Sequence, residues 1–218
     1  MRLHRTVFFL LFMALATTAC VAQAQHVAGG ERIVGLPCEG CEGVFQGLPA
    51  RLAASARIAP AAEPGEPLVL TGVVKDRAGA PQPGVVVYAY HTDPGGVYPS
   101  DRRLSGAAAR HGRLRGWTRT DAAGRYTFQT IRPGGYPGEA VPQHIHMHVI
   151  EPGRCTYYLG DVLFADDPRL TPALRAKETD AHGGSGLVQP QGGARVGWKA
   201  TRNITLGRDV PGYGQCSI

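Results

Sequence analysis

From Leu68 onward the chain breaks into short apolar runs closed by Gly, Pro or Asp turn signals, and this punctuation constrains the fold more than any other feature. The runs are Leu68 to Val74, Val85 to Tyr90, Trp117 to Thr120, Arg125 to Ile131, Ile145 to Ile150, Tyr157 to Phe164 and Trp198 to Leu206. With 30 Gly and 17 Pro and no long charged helical stretch, the spacing predicts an all-β, single-domain β-sandwich with long loops and at most one or two short helices. Asp121 to Gly124 reads as the loop of a hairpin joining the third and fourth runs, with Tyr126 and Phe128 on one face. One helix is expected to start at Thr171-Pro172, an N-cap followed by Pro at the first helical position, and to end before Gly183.

Ahead of these runs, Arg2 and Arg5 precede the apolar stretch Val7 to Ala16 and then small residues, the layout of a secretory signal too short to span a membrane. Residues 1–24 are therefore expected to be a signal peptide, with a lipoprotein-like alternative ending at Cys20, and the mature chain is expected to be periplasmic or extracellular. Residues 25–66 read as an extended or loosely packed N-terminal arm, 67–208 as the compact domain and 209–218 as a C-terminal tail. Losing Arg2 and Arg5 lowers the formal charge from +6 to +4, too mild for a nucleic-acid binder, and no later stretch is apolar enough to cross a bilayer. A basic cluster of Arg102, Arg103, Arg110, Arg113, Arg115 and Arg119 reads first as a solvated loop and second as a guide for an anionic substrate.

Without Cys20 the cysteines are Cys38, Cys41, Cys155 and Cys216, an even number suited to an oxidising compartment. Of the three connectivities, Cys38 with Cys41 and Cys155 with Cys216 is favoured. A Cys-Glu-Gly-Cys redox motif and half of a zinc site remain alternatives for the first pair.

The segment most informative about function is Pro142 to Val149. In a strand, side chains alternate between faces, so His144, His146 and His148 point one way and Ile145, Met147 and Val149 the other. Same-face histidines backed by a clean apolar face point to metal ligation, and zinc, copper or iron would each accept them. Two tyrosines on rigid Gly/Pro turns, Tyr98 in Gly95-Gly96-Val97-Tyr98-Pro99 and Tyr136 in Pro133-Gly134-Gly135-Tyr136-Pro137, decide among these. Phenolate is a hard anionic donor that favours Fe(III), and a phenol with a pKa of about 10 ionises at neutral pH only beside a cation.

With these residues in hand, the chain from Pro67 to Leu206 resembles the intradiol ring-cleavage dioxygenases, the non-haem iron family that includes catechol and protocatechuate dioxygenases. Gly96-Val97-Tyr98, Gly124 to Phe128, Thr130 to Pro137 and His144-Ile145-His146 carry the resemblance, and Tyr157 to Pro168 with Gly183 to Gly186 look similar to its secreted branch. The resemblance implies a β-sandwich of the intradiol dioxygenase (prealbumin-like) type. It also implies Fe(III) held by Tyr98 and His144 equatorially and by Tyr136 and His146 axially. A catechol would displace Tyr136 and be cleaved by O2 between its two hydroxylated carbons to a muconate-type diacid. The partners implied are thus a small aromatic diol and O2. A homo-oligomer would need an interface other than the helical region that precedes the sandwich in some relatives.

Two positions depart from the family pattern. Val141 stands where an Arg commonly precedes the first His, with Arg115 and Arg119 the candidates to replace it; Asp161 stands where many members carry Gln. An acid there would disfavour a carboxylated catechol. Tyr90 is weighed equally as a pocket aromatic or core packing, His148 reads as a group behind the ligands or at the pocket rim and not as a fifth ligand, and His91 and His111 are weighed equally as pocket or surface residues. Two readings from other classes compete: an exported transthyretin-like binding module, and a zinc- or copper-binding protein without ring cleavage.

Overall fold

The computed structural model describes residues 31–38, 40–178 and 182–216. The segment expected to be a signal peptide, with Cys20, lies outside them. In chain order the elements are β1 (Arg32–Val34), β2 (Ser55–Arg57), β3 (Pro67–Lys75), β4 (Val86–Tyr90), α1 (Gly106–His111), β5 (Arg115–Arg119), β6 (Arg125–Ile131), β7 (His144–Glu151), β8 (Cys155–Tyr158), β9 (Val162–Phe164), α2 (Pro172–Glu178), β10 (Leu187–Val188), β11 (Gln191–Gly193), β12 (Gly197–Thr201) and β13 (Ile204–Thr205). They form two sheets. One runs β1-β8-β7-β4-β5, with β9 also on β7 and β10 on β9; the other runs β11-β12-β3-β6-β2, with β13 also on β3.

The core lies between the sheets, where period-two alternation sends one side chain in two inward. Leu68, Leu70, Tyr126 and Phe128 of one sheet meet Val87, Ala89, Ile145, Met147 and Val149 of the other. The apolar face of the histidine strand is therefore the inner face. Its histidine face is the outer one, and yet β4 is buried throughout and β7 nearly so. Something must cover that outer face, and it is the arm. Val44 is fully buried against Val86, Tyr88, Tyr90 and Ile150, with Phe45, Leu52 and Trp117 packed around them. Arg115 ties the arm down through hydrogen bonds to the carbonyls of Gly43 (2.9 Å) and Gln46 (2.5 Å), and Trp117 Nε1 donates to Val44 O at 2.8 Å.

Four expectations from sequence are corrected here. The described part of the arm is not loosely packed, because β1 pairs with β8, β2 pairs with β6, and the segment between them covers the outer face. The Asp121–Gly124 turn does not close a hairpin: β5 pairs with β4, whereas β6 pairs with β3 and β2, so the turn carries the chain from one sheet to the other. The run Tyr157 to Phe164 breaks at Leu159-Gly160-Asp161 into β8 and β9, and Trp198 to Leu206 breaks at Arg202-Asn203 into β12 and β13. A short helix, α1, with Ala107, Ala108 and His111 buried, lies inside the Arg-rich stretch expected to be a solvated loop. The helix expected after Thr171 is α2, with Thr171 Oγ1 accepting from Leu174 N at 3.2 Å. Cys38 is bonded to Cys41, and Cys155 to Cys216, which pins the C-terminal tail to β8. Among the described residues, no helix is long and apolar enough to cross a membrane.

Candidate metal centre

Strand β7 presents His144 and His146 two residues apart on its outer face, and the two tyrosines come from loops packed backbone to backbone. A Cβ on Gly134 would stand 2.6 Å from Gly96 N, and one on Gly96, at φ +80°, would collide with the Gly135 carbonyl. Only glycine permits so close an approach. Thr92 Oγ1 donates to Gly134 O at 2.8 Å, and Gly134 N donates to Asp93 O at 2.8 Å. Arg132 anchors the second loop to the end of β9 through Asp166 (2.6 Å) and reaches Gln143 Oε1 at 2.8 Å. Arg169 donates to the carbonyls of Tyr136 and Val141, both at 3.3 Å.

These supports bring four donor atoms together. Tyr98 Oη lies 2.8 Å from Tyr136 Oη and 2.8 Å from His146 Nε2; His144 Nε2 lies 3.2 Å from Tyr136 Oη and 3.2 Å from His146 Nε2. Donors on a first-row ion with bonds of about 2 Å stand about 2.8 Å apart at right angles and about 3.3 Å apart at the tetrahedral angle. The observed spacings fall in that range.

The far side of each imidazole is occupied. His144 Nδ1 donates to Pro142 O at 2.8 Å, and His146 Nδ1 faces Asp161 Oδ1 at 2.8 Å and Tyr158 Oη at 3.2 Å. A proton held on Nδ1 leaves the Nε2 lone pair to ligate. Asp161 is in turn a hydrogen-bond acceptor from the Tyr158 hydroxyl. Burial would push its carboxyl up, but the neighbouring His146 and His144 and the Tyr158 hydrogen bond outweigh this and hold it at about 2. Asp161 lies close enough to both histidines to suggest a three-residue set. Because it engages Nδ1, it stands behind the His146 ring and not among the Nε2 donors. Asp161 does not itself line the cavity beside the donors.

Burial, together with the hydrogen bond between the phenols, pushes the pKa of Tyr98 well up; burial also raises that of Tyr136. Burial and the nearby His146 hold His144 in its neutral form. Without a cation the set is two phenols and a neutral imidazole beside His146; a bound cation is what would convert the phenols to phenolates.

A cavity of about 400 Å³ opens beside the four donors, lined by Tyr90, Tyr98, Tyr136, His146, Tyr158, Arg110, His111 and His182, and by the arm residues Leu36, Pro37 and Cys38. Tyr90 is sandwiched between His111, stacked at 3.8 Å, and His146, stacked at 4.6 Å. Neither Arg115 nor Arg119 reaches this cavity. Arg115 is buried under the arm, and Arg119, at the far end of β5, donates to Gly84 O at 3.0 Å. Both fail as replacements for the missing Arg because arm and turn carbonyls engage them; the cavity's arginine is Arg110. Val141 contributes only its carbonyl, to Arg169. His91 is buried against Thr92 O and Thr130 Oγ1 and does not line the cavity. His148 is fully buried and does not line the cavity. In the sequence, Arg110 is singled out only within the basic cluster and Cys38 only as a disulfide partner, while Tyr158, Arg169, His182, Leu36 and Pro37 are not picked out as site residues. Tyr158 carried a signal, since it is the last residue of β8 and lies within the Tyr157 to Pro168 segment that carries the resemblance.

The fold and these four donors define a class: a β-sandwich with a two-tyrosine, two-histidine centre on the outer face of one sheet. A family model described as Dioxygenase matches residues 48–181, which hold all four donors, and the chain belongs to the intradiol dioxygenase family. It is 34% identical over 124 residues to a protocatechuate 3,4-dioxygenase beta chain from Burkholderia cepacia, covering 48% of this chain and 49% of that one. It is 30% identical over 150 residues to a catechol 1,2-dioxygenase 2 from Acinetobacter lwoffii, covering 56% and 53%. The chain thus spans about half the length of the curated relatives it matches. Among solved structures, the dioxygenase domain of a dioxygenase carbohydrate-binding fusion from Streptomyces sp. SirexAA-E superposes with a TM-score of 0.52 at 28% identity, covering 73% of this chain and 91% of that one. A hydroxyquinol 1,2-dioxygenase from Pseudomonas putida DLL-E4 shares the fold, with a TM-score of 0.53 at 20% identity and coverage of 83% and 67%.

Proposed function

We propose that this protein is a non-haem Fe(III) intradiol dioxygenase that cleaves a catechol-type ring between its two hydroxylated carbons with O2, giving a muconate-type diacid. The observation that carries the reading is the convergence of two phenol oxygens and two Nε2 atoms at 2.8–3.2 Å, with both Nδ1 atoms already engaged. Two phenolates favour a ferric ion over zinc, copper(I) or iron(II). When bound there, ferric iron would stabilise the phenolates and draw electron density from a coordinated catecholate, opening its ring to O2.

The chain's own groups divide the remaining work. Tyr98, His144 and His146 would hold the ion throughout, with the two imidazoles braced at Nδ1. Tyr136, on the Gly/Pro loop, would be the donor that yields its place to a catechol, its Oη taking up one of the catechol's protons. Tyr90, Leu36 and Pro37 supply apolar walls for the ring, and Arg110 a positive charge for an anionic product. Residues 1–24 and the two disulfides support export to an oxidising compartment.

The reading is tested by measuring O2 uptake against a panel of catechols with iron-loaded protein, with the ring-opened diacid identified by mass. One O2 consumed per ring opened is expected. A fully iron-loaded protein that turns over none of the panel would overturn the catalytic reading.

A further inference from the structure

Behind the metal centre lies a group of side chains that the ring-cleavage reading does not use. Strand β7 carries a third histidine on its outer face, His148, only 1% exposed, and neither of its ring nitrogens has a hydrogen-bond partner. A neutral imidazole has one donor and one acceptor to satisfy, and buried polar groups are nearly always paired. Its ring neighbours do not help: Tyr158 stands edge-on at 5.1 Å, Tyr88 at 5.8 Å, and Tyr90 at 6.1 Å. What does face it is sulfur. The Sγ atoms of Cys38 and Cys41 and a His148 nitrogen all lie within 4.8 Å of one another.

The turn bearing the cysteines is held in place independently of the disulfide. A Cβ on Gly43 would stand 2.9 Å from both Ala108 N and the His111 ring, so the turn is seated on α1. Arg115 holds it from the other side at Gly43 O. Cys38 also lines the cavity of the first site.

We propose that Cys38, Cys41 and His148 form a second, redox-gated metal site that takes Zn(II) when the disulfide is reduced. A dithiol reductant delivers two electrons and two protons to the Cys38–Cys41 disulfide and is itself oxidised to a disulfide. The ion then displaces the two thiol protons to solvent, the thiolates and the neutral His148 nitrogen bind, and a water from the cavity completes the set. Tetrahedral zinc, with Zn–S of about 2.3 Å and Zn–N of about 2.0 Å, needs donors about 3.5–3.8 Å apart, which parting the sulfurs supplies. Two thiolates also neutralise a divalent ion inside a buried site, whereas Cu(I) would leave a net negative charge. Oxidation closes the site.

The test uses the full chain, reduced with a phosphine under anaerobic conditions and titrated with Co(II) as the zinc probe. A thiolate-to-cobalt charge-transfer band reports a cysteine pair, because the tyrosine–histidine centre has no sulfur to produce it, and its loss in Cys38→Ser, which keeps Cys155 and Cys216, assigns it to the first pair. The reduced protein should develop this band at a single equivalent and lose it to Zn(II), and the oxidised protein should show none. His148→Ala should weaken Co(II) binding by about tenfold or more. X-ray absorption of the zinc-loaded reduced wild type, which needs no variant to fold, should show two sulfur scatterers and imidazole. A reduced protein without the band, a sulfur-free zinc shell, or His148→Ala binding as tightly as wild type would overturn the site. Binding of Cu(I) without Co(II) or Zn(II) would overturn the choice of ion.

Discussion

Replacing Asp161 by Asn tests whether the carboxylate behind His146 tunes the metal. The side chain keeps its shape and an oxygen able to accept from His146 Nδ1, now 2.8 Å away, so the variant removes charge more than structure. An imidazole spans about 2 Å between its nitrogens, and a metal–nitrogen bond adds about 2 Å, which puts the carboxylate about 7 Å from a bound ion. At an effective dielectric constant of about 20, one unit of charge at that distance is worth about 2.4 kcal/mol per unit of net charge at the ion. That is about fiftyfold in affinity, inside the 10–100-fold range typical of groups that orient metal-bound histidines. Competition with a ferric chelator should therefore show Asp161→Asn losing iron about fiftyfold more readily than wild type. Its tyrosinate-to-iron absorption should move to longer wavelength, since a poorer imidazole donor leaves the ion a stronger electron acceptor. Unchanged affinity together with an unchanged band would refute the view that Asp161 acts through His146.

Three further outcomes follow from the same geometry. Tyr136→Phe should abolish the part of the visible spectrum that catechol binding displaces while the far-UV circular dichroism stays unchanged; a spectrum identical to wild type would remove Tyr136 from the ligand set. Gly135→Ala places a methyl 2.6 Å from the Val141 carbonyl and into the Arg169 guanidinium, so the Tyr136 loop must shift, and kcat should fall by about a hundredfold with little change in Tm. Val44→Ala removes two methyl groups from the seam between the arm and the first sheet, costing about 2 kcal/mol and lowering Tm by about 4–8 °C in a thermal melt; an unchanged Tm would mean that the arm is not held there.

The parts of the site that could be read from sequence are those encoded by local periodicity or by short motifs. The alternation from His144 to Val149 places histidines and apolar side chains on opposite faces of β7, and the Gly/Pro turns flag Tyr98 and Tyr136. What escaped depends on contacts distant in sequence. Arg115 looks like a candidate cavity charge until the arm, about 70 residues upstream, is seen to supply its carbonyl partners. A turn signal such as Asp121 to Gly124 reports that the chain reverses, but not whether the flanking strands pair or belong to different sheets. Asp161 could be read as an acid near the site, but not as one turned onto Nδ1 of His146, because that orientation depends on the break between β8 and β9 and on the Tyr158 hydroxyl.

The central claim is that Tyr98, Tyr136, His144 and His146 hold one ferric ion and that Tyr136 gives way to substrate. The most direct test is the visible spectrum of protein purified from iron-replete cells, recorded before and after anaerobic addition of catechol. The account predicts a red-brown protein with one iron per chain, whose tyrosinate-to-iron band shifts on addition of catechol. A colourless protein that copurifies with zinc, or with iron lacking that band, would contradict it.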